Sequence, residues 1–336
     1  MIEGTLQKKR VLTLGADPEL FVFNGAKLLP AFEFLPPKGK DTMIYWDGFQ
    51  AEWKYSHPDN YCQNNLVKAT RESLMKLQAK AKVTAPQARL SLSNVVRVPQ
   101  SILKTADTPF VELGCQPSYN VYRMRGTGVP NPRLLPYRFA GGHMHFGTWT
   151  TEKPKYEKIV KMLDRILGVW AVGVARNIDN PIRRQYYGLA GEYRMPMYKE
   201  DRFSKGGYGV EYRTLSNFWL ASPALMQVTW DIGRLCVRLA TSKFGGLWIA
   251  SEQEVIETIN NCDYQQADKI LDRNVGMLKW MLGQIYVKPQ AITNALTISQ
   301  VGLEQFVAEP EDFSTNWHFG DEWLPNARQP WARWER

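Results

Sequence analysis

Three pairs of ionisable residues, each spaced two apart, carry the chemistry of this chain. Asp17 and Glu19 lie in Gly15-Ala16-Asp17-Pro18-Glu19-Leu20-Phe21. His143 and His145 lie in Gly141-Gly142-His143-Met144-His145-Phe146-Gly147. Glu211 and Arg213 lie in Gly209-Val210-Glu211-Tyr212-Arg213-Thr214. Alternate residues of a strand point to the same face, so each pair projects to one side of an extended segment. Charged groups on a buried sheet face are costly unless they are paired or bind a metal. Carboxylates with one or two imidazoles suit Mg2+ or Mn2+ better than structural zinc. An arginine on the same face suits a phosphoryl group that gains charge in a transition state. Asp47-Gly48-Phe49-Gln50-Ala51-Glu52 adds a fourth acidic element around a hairpin turn. Singly, the pairs also read as a loop, a hydrogen-bonded histidine pair and a strand ion pair. Together they predict one concave face for a metal and a phosphate.

A second group is basic. Arg183, Arg184, Tyr186 and Tyr187 precede Gly188-Leu189-Ala190-Gly191, and Tyr193 and Arg194 follow it. Guanidinium groups around a glycine turn can wrap phosphates or a carboxylate substrate. The segment is neither a Walker loop, since no Gly-Lys-Ser/Thr follows, nor a dinucleotide fingerprint. Arg123, Arg125, Arg133 and Arg138, with Tyr122 and Tyr137, form a further basic stretch just before the histidines. It could face phosphate or nucleic acid. No Gly-x-Ser-x-Gly elbow is present, and Cys115 beside Gly114 reads as a buried thiol rather than a nucleophile.

Composition narrows the setting. The chain has 336 residues, 44% of them hydrophobic, enough for a large core. The net charge of +9 favours an anionic partner such as nucleotide or nucleic acid. The four cysteines have no metal-binding or disulfide spacing. No signal peptide or membrane span is recognisable, so a soluble cytoplasmic protein is expected.

The elements that must position these residues follow from periodicity and turn signals. Strands are expected over residues 11–23, as a pair within 42–55, over 90–98, 138–149 and 210–215, with an extended stretch over 111–122. Helices are expected over 64–82, from Pro154 to about Arg176, and from Ser222 to about Thr241, with several more from Glu252 to about Val307. Residues 177–207 read as irregular, and the tail from Phe313 is Trp-rich. Grouped strands with inserted helices argue for an α+β fold with a mostly antiparallel sheet. One catalytic domain over 1–245 with a helical extension over 246–336, packed on the same domain, is expected.

The three strand motifs resemble those of the glutamine synthetase and glutamate–cysteine ligase superfamily. Adding Gly114-Cys115-Gln116-Pro117, the run 183–191 and Glu211-Tyr212-Arg213-Thr214-Leu215-Ser216-Asn217-Phe218-Trp219, the chain resembles the phage-type COOH–NH2 ligase (amidoligase) family over about residues 11–245. The resemblance implies a glutamine synthetase-like catalytic domain, with a mostly antiparallel curved sheet and helices packed behind it. It implies a bacteriophage ligase that joins a carboxylate to an amine through an acyl-phosphate, using ATP and Mg2+ or Mn2+. Carried over, Glu19, Asp17, Glu52, His143 and Glu211 would bind metal. Arg213, Glu211 and Arg184 would be catalytic. His143, His145, Arg183, Arg194, Tyr187 and Gly188 would contact ATP or the substrate carboxylate. The family's acidic positions after Gly-Cys are here Gln116 and Ser118, so a metal site is weakened or another group completes it. The substrates would be small-molecule, peptide or protein carboxylates and amines. The alternative is a non-catalytic or virion-associated descendant that binds protein or nucleic acid.

Overall fold

Strand β1 (Thr13–Asn24) is the longest among the described residues, and the sheet is built around it. Its Leu14, Ala16, Leu20 and Val22 enter the main core, which leaves Gly15, Asp17 and Glu19 on the opposite face. The computed structural model describes residues 13–39, 42–55, 63–113, 118–123, 131–150, 156–176, 178–198, 207–242, 250–284, 313–317 and 319. On one side β1 pairs with β4 (Gln50–Trp53), which pairs with β3 (Ile44–Asp47). On the other it pairs with β9 (Gly142–Thr150), followed by β12 (Gly207–Tyr212), β10 (Glu192–Arg194) and β7 (Tyr119–Asn120). The far end of β1 also pairs with β2 (Lys27–Leu29) and β5 (Ala88–Ser91), and β11 (Met197–Tyr198) pairs with β12. A separate pair joins β6 (Val95–Arg97) to β8 (Tyr137–Phe139). Every pairing between these strands is antiparallel.

Helices cover the apolar face, which gives an α+β fold. α1 (Gln63–Thr84) contributes Leu66, Leu74 and Leu77 to the core, and α4 (Tyr156–Leu163) contributes Ile159, Val160 and Leu163. α7 (Pro223–Ala240) starts where expected: the Ser222 hydroxyl accepts from the Leu225 amide at 3.2 Å, with Pro223 in the first turn. α8 (Glu252–Asn260) and α9 (Tyr264–Gln284) pack on α5 (Val169–Val174). Trp317, near the C-terminus, is fully buried; its indole N–H donates to the Leu220 carbonyl at 2.7 Å.

Several elements differ from the sequence expectation. Residues 90–98 are not one strand, because β5 and β6 lie in different sheets and are separated at 92–94. Val111 ends a short helix, α3 (Thr108–Val111), after α2 (Gln100–Thr105), so 111–122 is not extended throughout. Pro109 falls in the first turn of α3, where a missing N–H is harmless. The segment 177–207 holds α6 (Pro181–Tyr186), β10 and β11. Asn180 caps α6 by accepting from the Ile182 amide at 2.9 Å. Residues 114–117, including Cys115 and Gln116, and 285–307 lie outside the described residues.

Between α4 and α5 the helix widens into a π turn over Asp164–Gly168. A π turn inserts an extra residue and re-aims the side chains around it. Here Asp164 is fully buried behind the sheet and accepts from the Tyr212 hydroxyl at 2.7 Å. Gly168 lies so close that a Cβ there would stand 2.6 Å from the Tyr212 hydroxyl. The helix layer is thereby bonded to the residue between Glu211 and Arg213.

Burial pushes the Asp164 carboxyl from 3.8 up to about 7, against hydrogen bonds from Tyr212 and others. The folded protein therefore keeps this proton after the unfolded chain has lost its own. The stabilisation is full below pH about 4 and is lost as pH rises through about 7. Asp164→Asn removes this dependence, so urea midpoints of wild type and variant should converge or reverse in the variant's favour between pH 5 and 8. A constant difference across that range would contradict the buried protonated acid. Gly142 supplies a second test. A Cβ there would strike the Ser216 carbonyl oxygen and stand 2.5 Å from the Trp219 indole nitrogen. Gly142→Ala should cost about 2–4 kcal/mol in denaturant unfolding, because backbone cannot yield as a flexible side chain can.

Candidate functional site

The register of five strands places the sequence motifs side by side. Glu19 pairs with Glu52, Asp17 with His143, and Glu211 with His145; Arg194 of β10 pairs with Glu211. The alternation that sends Met144, Phe146, Val210 and Tyr212 into the core sends His143, His145, Glu211 and Arg213 to the other face. The hairpin β3–β4 closes through Gly48, whose φ of 61° favours glycine; it sets Asp47 opposite Gln50 and its carboxylate within 4.8 Å of that of Glu52.

Two groups of potential metal ligands result. Asp17, His145 and Glu211 form one, and Glu19, Asp47 and Glu52 the other; within each, the ligand atoms lie within 4.8 Å of one another. In the first, His145 Nε2 is 3.0 Å from Asp17 Oδ1. Burial disfavours the Asp17 carboxylate, but the imidazoles of His145 and His143 outweigh it and hold Asp17 well below the usual carboxylate range. Burial likewise works against protonated His145, yet the Asp17 charge raises its pKa.

The second group has only oxygen donors. Burial, then the charges of Asp47 and Glu52, push Glu19 well above its ordinary value, although the Gly141 amide donates to its carboxylate at 2.6 Å. Burial and the Asp17 charge push Glu52 to about 7, against the pull of Lys38. Burial also raises Asp47, again against Lys38. Burial first, and then neighbouring like charges, disfavour these carboxylates, and a divalent cation would offset both. The donor sets therefore fit metal: hard oxygens in one group, oxygens with an imidazole in the other.

His143 sits deeper. Its Nε2 is hydrogen-bonded to the Tyr187 hydroxyl, and its Nδ1 lies 3.4 Å from Asp17 Oδ1 and 3.8 Å from Glu211 Oε1. Burial and the Arg213 charge lower its pKa to about 4, so the ring is neutral. Tyr187 is held between guanidinium groups, with Arg183 4.8 Å and Arg213 5.3 Å from its ring centroid. Arg213 bonds Glu211, and Arg194 Nη1 lies 3.5 Å from the same carboxylate.

Other arginines have different surroundings. Arg183 and Arg184 stand on α6, not on a glycine loop. Arg183 donates to the carbonyls of Thr214 at 3.1 Å and Leu215 at 2.7 Å. Arg184 donates to the Thr214 carbonyl at 2.5 Å, to the Gly188 carbonyl, and to Asp179 at 2.8 Å. Both guanidinium groups thus fasten the chain that follows Arg213. Gly188 has a φ of 74°, and a Cβ there would strike the Arg183 guanidinium. In the basic stretch, Arg138 is buried and donates to four carbonyls, those of Pro132, Leu135, Tyr137 and Val111. Arg133 donates to the carbonyls of Leu103 and Ala106 at 2.8 and 3.2 Å. Arg125 lies outside the described residues.

Two site residues carried no role in the sequence expectation. Asp47 opened the acidic segment 47–52 but was not named as a ligand. Glu192 is buried and accepts from the Gly188 amide at 2.9 Å. A signal for Glu192 was present: Glu-Tyr-Arg occurs twice, at 192–194 and 211–213. The copies run antiparallel, with Arg194 opposite Glu211, and the Arg213 amide donates to the Glu192 carbonyl at 3.1 Å. Ser118 is buried, and Asp47 provides a carboxylate beside Glu19 and Glu52.

Comparison with known proteins places the chain in a family. The model of the phage phiEco32-like COOH.NH2 ligase-type 2 family matches residues 126–319. The match takes in α8 and α9, which the resemblance in sequence left outside. A solved structure described as "Crystal structure of novel glutamine synthase homolog" is 11% identical, covering 91% of this chain and 70% of that one, with a TM-score of 0.36. No curated protein matches the chain. No helix among the described residues is long and apolar enough to cross a membrane. With more than half of its length matched, the chain belongs to the phage phiEco32-like COOH.NH2 ligase-type 2 family.

Proposed function

We propose that the protein is an ATP-dependent carboxylate–amine ligase that forms an amide through an acyl-phosphate, on a glutamine synthetase-like sheet. The observation that carries this reading is the pair of ligand groups, Asp17–His145–Glu211 and Glu19–Asp47–Glu52, on one sheet face beside Arg213 and Arg194. Divalent ions bound there would neutralise phosphate charge and orient a phosphoryl group for attack by a carboxylate.

The chain's own residues have separable tasks. Asp17, Glu19, Asp47, Glu52, Glu211 and His145 would hold the ions. Arg194 and Arg213, both against Glu211, would stabilise charge on the transferred group. His143, neutral and fixed by Tyr187, would keep Asp17 and Glu211 oriented. Arg183 and Arg184 would hold the backbone beyond Arg213 in place. Residues 1–245 would carry catalysis, with the later helices packed on the same domain. The substrates are a carboxylate and an amine, small-molecule or peptide.

ADP release with Mg2+, ATP and a panel of carboxylates and amines tests the reading. No release with any pair, together with no nucleotide binding in calorimetry, would leave the non-catalytic, protein- or nucleic-acid-binding alternative in its place. If ligation occurs, Glu211→Gln and Arg213→Lys should each lower kcat by about 100-fold or more with an unchanged circular dichroism spectrum. Full turnover in either variant would remove that residue from the chemistry. Arg184→Ala should behave differently, lowering stability by about 3–5 kcal/mol through the unpaired Asp179 and the freed carbonyls. Lost turnover at unchanged stability would instead make Arg184 catalytic.

A further inference from the structure

Lys38 belongs to none of the three paired motifs, yet its charge reaches the all-oxygen group. Its Nζ lies 3.3 Å from Glu52 Oε1 and 4.8 Å from the centroid of the Tyr45 ring. The side chains differ sharply in exposure, 66% for Lys38 and 6% for Glu52. The Tyr45 hydroxyl donates to the same Glu52 oxygen at 2.5 Å, so the carboxylate keeps a fixed partner whether or not the lysine stays.

The backbone on each side of Lys38 is tied. The Pro36 carbonyl accepts from the Trp46 amide at 3.0 Å. The Gly39 carbonyl accepts from Lys54 Nζ at 3.1 Å and from the Thr42 amide at 3.4 Å. The four-carbon stem can therefore swing without moving the chain, and most of it already stands in solvent. A single ammonium only partly offsets three crowded carboxylates. A divalent ion among them offsets more and repels the ammonium at short range.

We propose that Lys38 is the resident counter-cation of Glu52 in the all-oxygen group, that a divalent ion displaces it from Glu52, and that the displaced ammonium then binds a phosphate of the metal-bound nucleotide. This rests on the metal reading of that group given above. The two roles have opposite signs: Lys38 competes with the bare ion and assists the ion–nucleotide complex.

Calorimetry with Mn2+ alone, and with Mn2+ and a non-hydrolysable ATP analogue, tests both roles in the full chain. Lys38→Ala and Lys38→Gln should bind Mn2+ alone about two- to fivefold more tightly, as expected for loss of one exposed ion pair. Lys82→Ala, which removes an equal charge from α1, should leave that affinity unchanged. The analogue should bind Lys38→Ala with Mn2+ more weakly than wild type, and Lys38→Arg should restore it. Misfolding would weaken both and cannot give the reversal. Equal Mn2+ affinity in wild type and both variants overturns the counter-cation role. An unweakened analogue complex overturns the phosphate role. If wild type binds no Mn2+, the metal reading falls, and this inference with it.

Discussion

The structure depends on one constraint: a two-sided sheet must bury charge on one face and hydrocarbon on the other. The period of two in β1, β9 and β12 meets both demands at once. Met144, Phe146, Val210 and Tyr212 build the core, while their neighbours His143, His145, Glu211 and Arg213 line the site. A slip of one residue in any of these strands would exchange the faces, so the core itself enforces the register of the site. The pairing of Asp17 with His143 and of Glu211 with His145 thus follows from where the apolar residues must go.

Crowded charge is stabilised in layers behind the charged face. Tyr187 and Arg213 fix His143 and Glu211 from within the site. Arg183 and Arg184 fasten residues 214 and 215 through backbone carbonyls. Asp164, brought up by the π turn, holds Tyr212 from the helix side. Two different elements, α6 and the π turn, therefore converge on the few residues that begin at Glu211. Groups that must keep their geometry while charges change beside them need such support.

Much of the sheet was legible because strand periodicity is local. The pairs 17/19, 143/145 and 211/213 each announce a face, and Asp-Gly announces the β3–β4 turn. What stayed hidden depends on long-range geometry. The carbonyl bonds of Arg183 and Arg184 are not readable in sequence, since an arginine bonded to a carbonyl and one bonded to a phosphate are written alike. Asp47 read only as the start of an acidic segment, because its nearness to Glu19 arises only when β4 pairs with β1. The split between β5 and β6 was lost for a similar reason: neighbouring apolar runs do not say which sheet each will join. The π turn leaves no mark in a pattern of helical spacing. Glu192 was the readable omission, given the repeated Glu-Tyr-Arg.

Trp317 ties a late segment of the chain to an early one. Its carbonyl accepts from Arg71 Nε at 2.9 Å across 246 positions of sequence, while its ring is bound to residue 220. Contacts so distant along the chain form late, because closing long loops costs entropy before any contact repays it. On the ribosome, α1 and α7 emerge well before the residue that seals them. The nascent chain therefore holds Arg71 and Leu220 without these partners until Trp317 has been made, and partly folded chains with such unmet contacts are the ones prone to association.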